Sequence, residues 1–427
     1  MNDIIKQRID TIRRGDVPEG YKKVKVGLVP VDWEESHFKK MFSRLNRRNT
    51  TGSTNVLTIS AQYGLISQED FFNKSIASED KSNYFLLKRG DFAYNKSYSN
   101  GYPFGAIKPL VAYENGIVSP LYICFAATNE NKCPEYYAQY FEGGLMNHEI
   151  QAFAQEGARN HGLLNISVED FFNSAIVVPP LPEQQKIAEI LTAQDKVIEL
   201  KEKQIVEKQR QKKYLMQQLL TGKKRLKGFS GEWKKQKLLE VLTERKEKNA
   251  GENLLICSVA VQKGVVSQIE HLGRSYAAAD TSNYGVVEVG DIVYTKSPTG
   301  DFPFGIIKQS QIQESVAVSP LYGIYKPVTY WLGYILHTYF QYAVNATNYL
   351  LPIVHKGAKN TINISNNVFI SNSLYLPLDD GEQKALYELF SAAEREIELL
   401  QQDLEQEKLK KKALMQLLLT GIVRVST

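Results

Sequence analysis

Leu215-Met216-Gln217-Gln218-Leu219-Leu220-Thr221-Gly222 returns near the end of the chain as Leu414-Met415-Gln416-Leu417-Leu418-Leu419-Thr420-Gly421. Each phrase closes a stretch, 183–220 and 382–419, that lacks Gly and Pro and is rich in Glu, Lys, Gln and Leu, a strongly helix-forming composition. The glycine stands where a helix C-cap is wanted. Upstream, Pro180-Leu181-Pro182 stops the preceding structure, and Asp379-Asp380 offers N-cap oxygens to the second stretch. Apolar residues alternate at spacings of four and three: Ile187, Leu191, Ile198, Ile205, Leu215 and Leu219 in the first stretch, and Leu386, Phe390, Ala393, Ile397, Leu400, Leu404, Leu414 and Leu418 in the second. That is a coiled-coil seam, interrupted by Lys201, Lys208 and Lys212 in one helix and by Glu407 and Lys411 in the other. Helices of about 57 Å, at 1.5 Å per residue, need a partner to bury their seam, so the two are expected to pack together.

The segments before each helix are also copies of one another. Ser82-Asn83-Tyr84 recurs as Ser282-Asn283-Tyr284, Gly90-Asp91 as Gly290-Asp291, and Pro103-Phe104-Gly105 as Pro303-Phe304-Gly305. Val118-Ser119-Pro120-Leu121-Tyr122 recurs as Val318-Ser319-Pro320-Leu321-Tyr322, and Trp33 as Trp233. Residues 82–122 and 282–322 match at 19 of 41 positions without a gap, where ordinary composition gives about two or three by chance. The expected fold class is therefore α+β: two duplicated mixed α/β domains separated by two long helices packed as an antiparallel coiled coil. The expected boundaries are a helical segment over 1–19, a first globular domain over 20–180, a central helix over 181–225, a second domain over 226–377 and a distal helix over 378–427. Strands are expected at 56–60, 92–94, 254–258 and 292–294, and helices at 135–141 and 330–340.

Composition excludes several classes. A chain of 427 residues with 43% hydrophobic and 23% charged residues is long enough for real cores. No apolar run approaches the ~18 residues of a membrane span, and the first twenty residues are charged throughout, which predicts neither a membrane anchor nor a secretory leader. Cys124, Cys133 and Cys257 form no Cys-x-x-Cys pair, and a reducing cytoplasm is the expected compartment. The six histidines show no metal-ligand spacing, and no phosphate-cradling glycine loop is present. Asp380, Glu382 and Lys384 superficially resemble a metal-nuclease carboxylate set, but such a set needs strands converging on the metal, whereas these residues open a helix. No nucleophile, base and oxyanion donor assemble, so the expected chain is not an enzyme.

Position is more telling than the net charge of +5. Lys223-Lys224-Arg225, Lys227, Lys234-Lys235 and Lys237 crowd the junction between the first helix and the second domain, and Arg44, Arg47 and Arg48 form a second cluster. Such clusters are either solvated surface or, in a duplicated domain rich in Tyr and Asn, a nucleic-acid interface.

The phrase Pro180-Leu181-Pro182-Glu183-Gln184-Gln185-Lys186-Ile187-Ala188-Glu189-Ile190-Leu191, followed by a long helix ending in Leu219-Leu220-Thr221-Gly222, resembles the central conserved region of the specificity subunits of Type I restriction–modification enzymes. The resemblance covers essentially the whole chain, although the distal counterpart reads Pro377-Leu378-Asp379-Asp380-Gly381-Glu382-Gln383-Lys384. It implies a non-catalytic subunit in which each domain reads one half of a bipartite double-stranded DNA target while the helix pair sets the spacer. It further implies two methyltransferase subunits as partners, joined by restriction–translocase subunits, with S-adenosylmethionine, ATP and Mg on those partners and no cofactor in this chain. The specificity subunit of another restriction–methylation system and a coiled-coil protein-binding adaptor remain as alternatives.

Duplication sorts the candidate DNA contacts. Features common to both copies cannot distinguish two half-sites, so they belong to the core or to phosphate positioning. Lys96-Ser97 and Lys296-Ser297, Arg159 and Lys359, and the Arg44, Arg47 and Arg48 cluster are the backbone candidates. Positions where the copies differ are the candidates for base readout: Gln62, Tyr63 and Asn100 in the first, Gln262, Lys263 and Thr299 in the second. Asn and Gln can pair with adenine edges in the major groove, and Lys can reach guanine.

Overall fold

The computed structural model describes residues 3–50, 52–60, 63–72, 80–128, 133–156, 164–222, 224–274, 277–356 and 362–426. The chain divides into two compact units, Met1–Glu202 with Gln402–Thr427, and Lys203–Gln401. Each unit holds one globular head and one half of each long helix.

In the first unit a four-stranded antiparallel sheet runs in the order Phe42–Arg44, Ile123–Ala127, Phe92–Asn95, Ala106–Pro109. A hairpin, Leu57–Ser60 with Gly64–Ser67, is joined to the pair Phe85–Lys88 and Asn115–Val118 by a parallel bridge from Val56 to Ile117. The second unit repeats this plan. Its first sheet runs Leu242–Glu244, Gly323–Pro327, Ile292–Tyr294, Ile307–Gln309. Its second sheet pairs Leu255–Ala260 parallel with Val316–Val318, flanked by Gly264–Ser267 and Gly285–Val287. Helices Pro134–Glu142 and Tyr330–Phe340 cover the corresponding sheets. The duplication in sequence is thus a duplication in topology, and the expected strands and helices occur within a few residues of their expected bounds.

The two cores differ in chemistry. Phe38, Phe42, Phe92, Phe125, Phe141 and Phe171 fill the first with ring contacts at 4.6–6.0 Å. Leu238, Leu242, Ile292, Tyr325 and Phe369 occupy the second. The frame survives exchange of aromatic for aliphatic side chains, as cores tolerate hydrophobic substitution when the apolar pattern is kept.

The long helices span Leu181–Leu219 and Asp380–Leu418, 39 residues each, or about 58 Å. Both end at a left-handed glycine, Gly222 and Gly421, and Asp379 caps the second by accepting from the Glu382 amide at 2.8 Å. Their partner contacts run antiparallel. In the first unit Gln194 donates to Glu407 (2.6 Å), Lys411 pairs with Asp195 (2.6 Å), Lys408 with Glu202 (3.3 Å) and Lys201 with Asp403. In the second, Lys208 pairs with Glu396 and Lys212 with Glu394, both at 2.6 Å. The lysines that interrupt the apolar seam therefore form rungs across it. Pairs of this kind contribute little stability each, but they fix direction and register.

A second device ties each head to its helices. Glu183, in the first turn of the central helix, is buried, accepts a hydrogen bond from the Trp33 indole at 2.8 Å, and is held by Arg424 at 2.7 Å. Arg424 follows the Thr420-Gly421 end of the distal helix and also grips Asp32 (2.7 Å), whose carboxyl it holds below the usual aspartate range. The second unit builds the same constellation from Glu382, Trp233 and Arg225, with the Arg225 Nε at 2.6 Å and the indole at 3.2 Å. Glu382, a member of the superficial nuclease set, is therefore committed to an ion pair.

A buried carboxylate that loses its cation is strongly unfavourable. Arg225→Met should destabilise the second unit by about 2–4 kcal/mol, read as a lower denaturant midpoint and faster amide exchange in the first turns of the distal helix. The double change Arg225→Met with Glu382→Gln should recover much of the loss. His337 gives a pH signature. Burial pushes its pKa down to about 3, and its Nδ1 accepts the Gln309 amide at 3.0 Å. The imidazole is neutral when folded but gains a proton below its ordinary pKa of about 6.5 when unfolded. Its share of stability is therefore present above pH 6.5 and lost as pH falls toward 3, and His337→Gln should flatten the stability–pH curve across that window.

Candidate nucleic-acid interface

Candidate contact residues gather on loops that the duplicated frame holds in place. At the end of strands Phe92–Asn95 and Ile292–Tyr294 the chain turns through Lys96-Ser97 and Lys296-Ser297. Beneath each turn lies Pro-Phe-Gly. The Tyr94 hydroxyl donates to the Phe104 carbonyl at 2.6 Å, and the Tyr294 hydroxyl to that of Phe304 at 2.7 Å. Gly105 and Gly305 have positive φ, and a side chain at either would run into the strand end: an added Cβ would sit 2.2 Å from the Asn95 carbonyl oxygen or 2.9 Å from the Lys296 amide nitrogen. Only glycine admits that approach. Lys296 itself is left-handed, with φ +59°. Both lysines are half-buried, and burial lowers their pKa values from the ordinary range.

Beyond each lysine the loop closes as a tight hairpin. Ser99 bridges Tyr102, and Thr299 bridges Phe302. Asn100 stands exposed at the first tip beside Tyr98, itself 62% exposed. Thr299 is exposed at the second, its hydroxyl donating to the Ser297 carbonyl at 3.3 Å. The tips of two further hairpins carry Tyr63, 64% exposed, and the exposed pair Gln262 and Lys263. Gln62, Arg159 and Lys359 lie outside the described residues.

The arginine cluster divides. Arg44 is exposed on strand Phe42–Arg44. Arg47 is engaged with Asp91, the aspartate of the Gly90-Asp91 turn, which also accepts the Lys88 amide at 2.7 Å. The second unit has the same arrangement: Arg245 grips Asp291 through Nε at 2.6 Å, and Asp291 accepts the Glu288 amide at 2.9 Å. Arg48 donates to the Asn83 carbonyl and lies over the Phe85 ring at 4.9 Å. Of the basic junction, Arg225 is bound to Glu382, while Lys234, Lys235 and Lys237 lie exposed along strand Lys234–Lys237.

Sequence reasoning missed the partners of Glu183 and Glu382, and the aspartate of the Gly-Asp turn as an arginine receptor. A signal for both was present: Arg225 and Arg424 each follow Leu-Thr-Gly at the same distance, and Arg47 and Arg245 precede their aspartates by 44 and 46 residues. No group of three or more potential metal ligands, and no helix long and apolar enough to cross a membrane, occurs among the described residues.

Comparison with known proteins shows what the chain is similar to. Residues 30–210 match the Type I restriction modification DNA specificity domain. The chain resembles the specificity subunits of Type I restriction–modification enzymes. It is 24% identical over 431 residues to the putative type I restriction enzyme MjaX specificity subunit of Methanocaldococcus jannaschii, covering 96% of this chain and 98% of that one. A solved chain from work on complex assembly and conformational transition of the type I R-M system shares the fold with a TM-score of 0.54 at 14% identity, covering 92% and 99% of the two chains. The HsdS subunit of Thermoanaerobacter tengcongensis superimposes with a TM-score of 0.48 at 17% identity, covering 92% of this chain and 98% of that one. The expected class, two mixed heads with a pair of long packed helices, is the one found.

Gly105→Ala should cost about 2–4 kcal/mol, because it combines a left-handed backbone with a clash against main chain. Gly101→Ala, with equal φ but open space around it, should cost about 1 kcal/mol. Equilibrium unfolding in urea checks the difference.

Proposed function

We propose that the chain is the targeting subunit of a Type I restriction–modification complex and performs no catalysis itself. The heads, residues 20–180 and 226–377, each read one half of a bipartite duplex target. The helices within 181–225 and 378–427, with the segment 1–19, set the spacer and dock two methyltransferase subunits, to which restriction–translocase subunits are added. S-adenosylmethionine, ATP and Mg belong to those partners. The compartment is the cytoplasm, where the DNA is.

One observation carries the reading. The two heads keep the same frame but differ in what they display at the exposed hairpin tips, as expected of two readers for two half-sites. Backbone phosphates fall to the shared Lys96-Ser97 and Lys296-Ser297 turns and to Arg44, with Arg159 and Lys359 in the Gly-Ala-basic-Asn sequences. Bases fall to Gln62, Tyr63 and Asn100 in one head and to Gln262, Lys263 and Thr299 in the other. The MjaX relative, named as a specificity subunit and matched almost end to end, supports the same assignment.

Co-expression with the cognate methyltransferase and genome-wide mapping of N6-methyladenine tests this directly. One asymmetric two-part motif with a fixed gap is expected, and methylation without such a motif would refute the reading. Lengthening both helices by one turn at facing positions should change the gap and leave both half-sites intact. Lys96→Ala should weaken binding to all sequences alike and lower the salt slope by about 1, whereas Asn100→Ala should alter preference in one half-site only.

A further inference from the structure

The duplication preserves a buried lysine whose circumstances differ between the units. Lys108, on strand Ala106–Pro109, is buried and ion-paired with Glu142, and the Tyr102 hydroxyl lies 3.3 Å from its ammonium and 2.6 Å from the same carboxylate. Tyr102 and Glu142 line a cavity of about 700 Å³, but within the triad the lysine's charge is answered by the carboxylate. Two hundred residues on, Lys308 is 3% exposed, but position 302 is Phe, and Thr338, which follows its helix's N-cap Thr329 by the same nine residues as Glu142 follows Cys133, stands in the carboxylate's place. Both partners are gone and the cation is kept. Lys308 makes no hydrogen bond or ion pair among the described residues.

Lys308 lines a polar cavity of about 200 Å³ together with Gln262, Lys263, Gln311, Gln341 and Glu394. Glu394, whose charge acts on Lys308, is already committed: it accepts from the Tyr334 hydroxyl at 2.5 Å and pairs with Lys212 at 2.6 Å. His337 at the cavity wall is neutral, as shown above. Burial lowers the Lys308 pKa to about 8, so the group still carries its proton near pH 7. The balance is two ammonium groups, Lys263 and Lys308, with no carboxylate among the described lining residues free to answer them, beside three carboxamides able to donate. An oxyanion with several acceptor oxygens fits this set. The volume equals about six or seven waters at ~30 Å³ each, enough for a phosphate group and its solvent.

We propose that the cavity around Lys308 is a phosphate-binding site present in the second unit and absent from the first, and that the phosphate it takes is a DNA backbone phosphodiester. The second clause rests on the proposed function; the first does not. The cavity opens beside the Gln262-Lys263 hairpin tip, so a strand held at Lys308 would be positioned against side chains assigned to base readout.

The test has two arms on the full chain. In the first, inorganic phosphate is titrated against chloride at matched ionic strength and pH 7 while the melting temperature is followed. The expected result is a saturating, phosphate-specific rise that Lys308→Met abolishes and Lys108→Met retains. Methionine keeps the volume and removes a buried charge, so circular dichroism should show Lys308→Met folded. No phosphate-specific rise, or a rise that survives Lys308→Met, overturns the site. In the second arm, duplex affinity is measured against salt. Lys308→Met should weaken binding several-fold on every sequence and lower the log–log slope by about 1. Loss of the phosphate response with unchanged duplex binding overturns the DNA assignment and leaves a site for free phosphate. Absence of duplex binding by the unaltered chain would refute the proposed function, while the first arm would still decide the site.

Discussion

A carboxylate buried in the first turn of a helix must find a cation, and in this protein that requirement organises both units. Glu183 and Glu382 are each 2% exposed, and the desolvation cost of such a group is several kcal/mol unless it is paired and hydrogen-bonded. The indole comes from the start of a head, the carboxylate from the start of one long helix, and the guanidinium from just beyond the end of the other. Three segments distant in sequence converge on one charge. The position of each head's first tryptophan, the phrase that opens each helix and the arginine that follows each Leu-Thr-Gly are therefore one requirement, met twice.

Around that fixed point the two copies have been free to diverge in a patterned way. What holds loops to the frame is kept: the tyrosine that donates to the Pro-Phe-Gly carbonyl, the glycine that admits the strand end, and the arginine that fills the turn aspartate. What the loops present is changed. Asn100 stands where the second unit has Gly300, and Lys108 is ion-paired with Glu142 where Lys308 lines a polar cavity. Rigid support with variable tips is the arrangement expected when binding is placed on loops and precision on the scaffold beneath them.

Polar residues in the helix seam follow the same logic of pairing. Lys201, Lys208 and Lys212 break an otherwise apolar stripe, and each answers an acidic residue on the facing helix. A purely apolar seam would tolerate sliding by a heptad. Charged rungs penalise every register but one, because a slipped rung leaves like charges or unpaired groups in a partly desolvated groove.

The sequence by itself determined the duplication, both long helices with their glycine ends, the heptad seam and the mixed α/β character of the heads. These are periodic or repeated features, and repetition and period are local information that a linear chain carries openly. Only the tertiary structure decided which charges are available. Arg47 and Arg225 lie in basic clusters that read as equivalent to their neighbours, yet each is bound to a buried or half-buried carboxylate supplied from 44 and 157 residues away. Lys308 reads as a repeat of Lys108, yet among the described residues it has no such partner. Whether a cation is committed or free depends on what the fold brings within a few ångströms of it and on how much water remains, and neither is a property of the chain's local order.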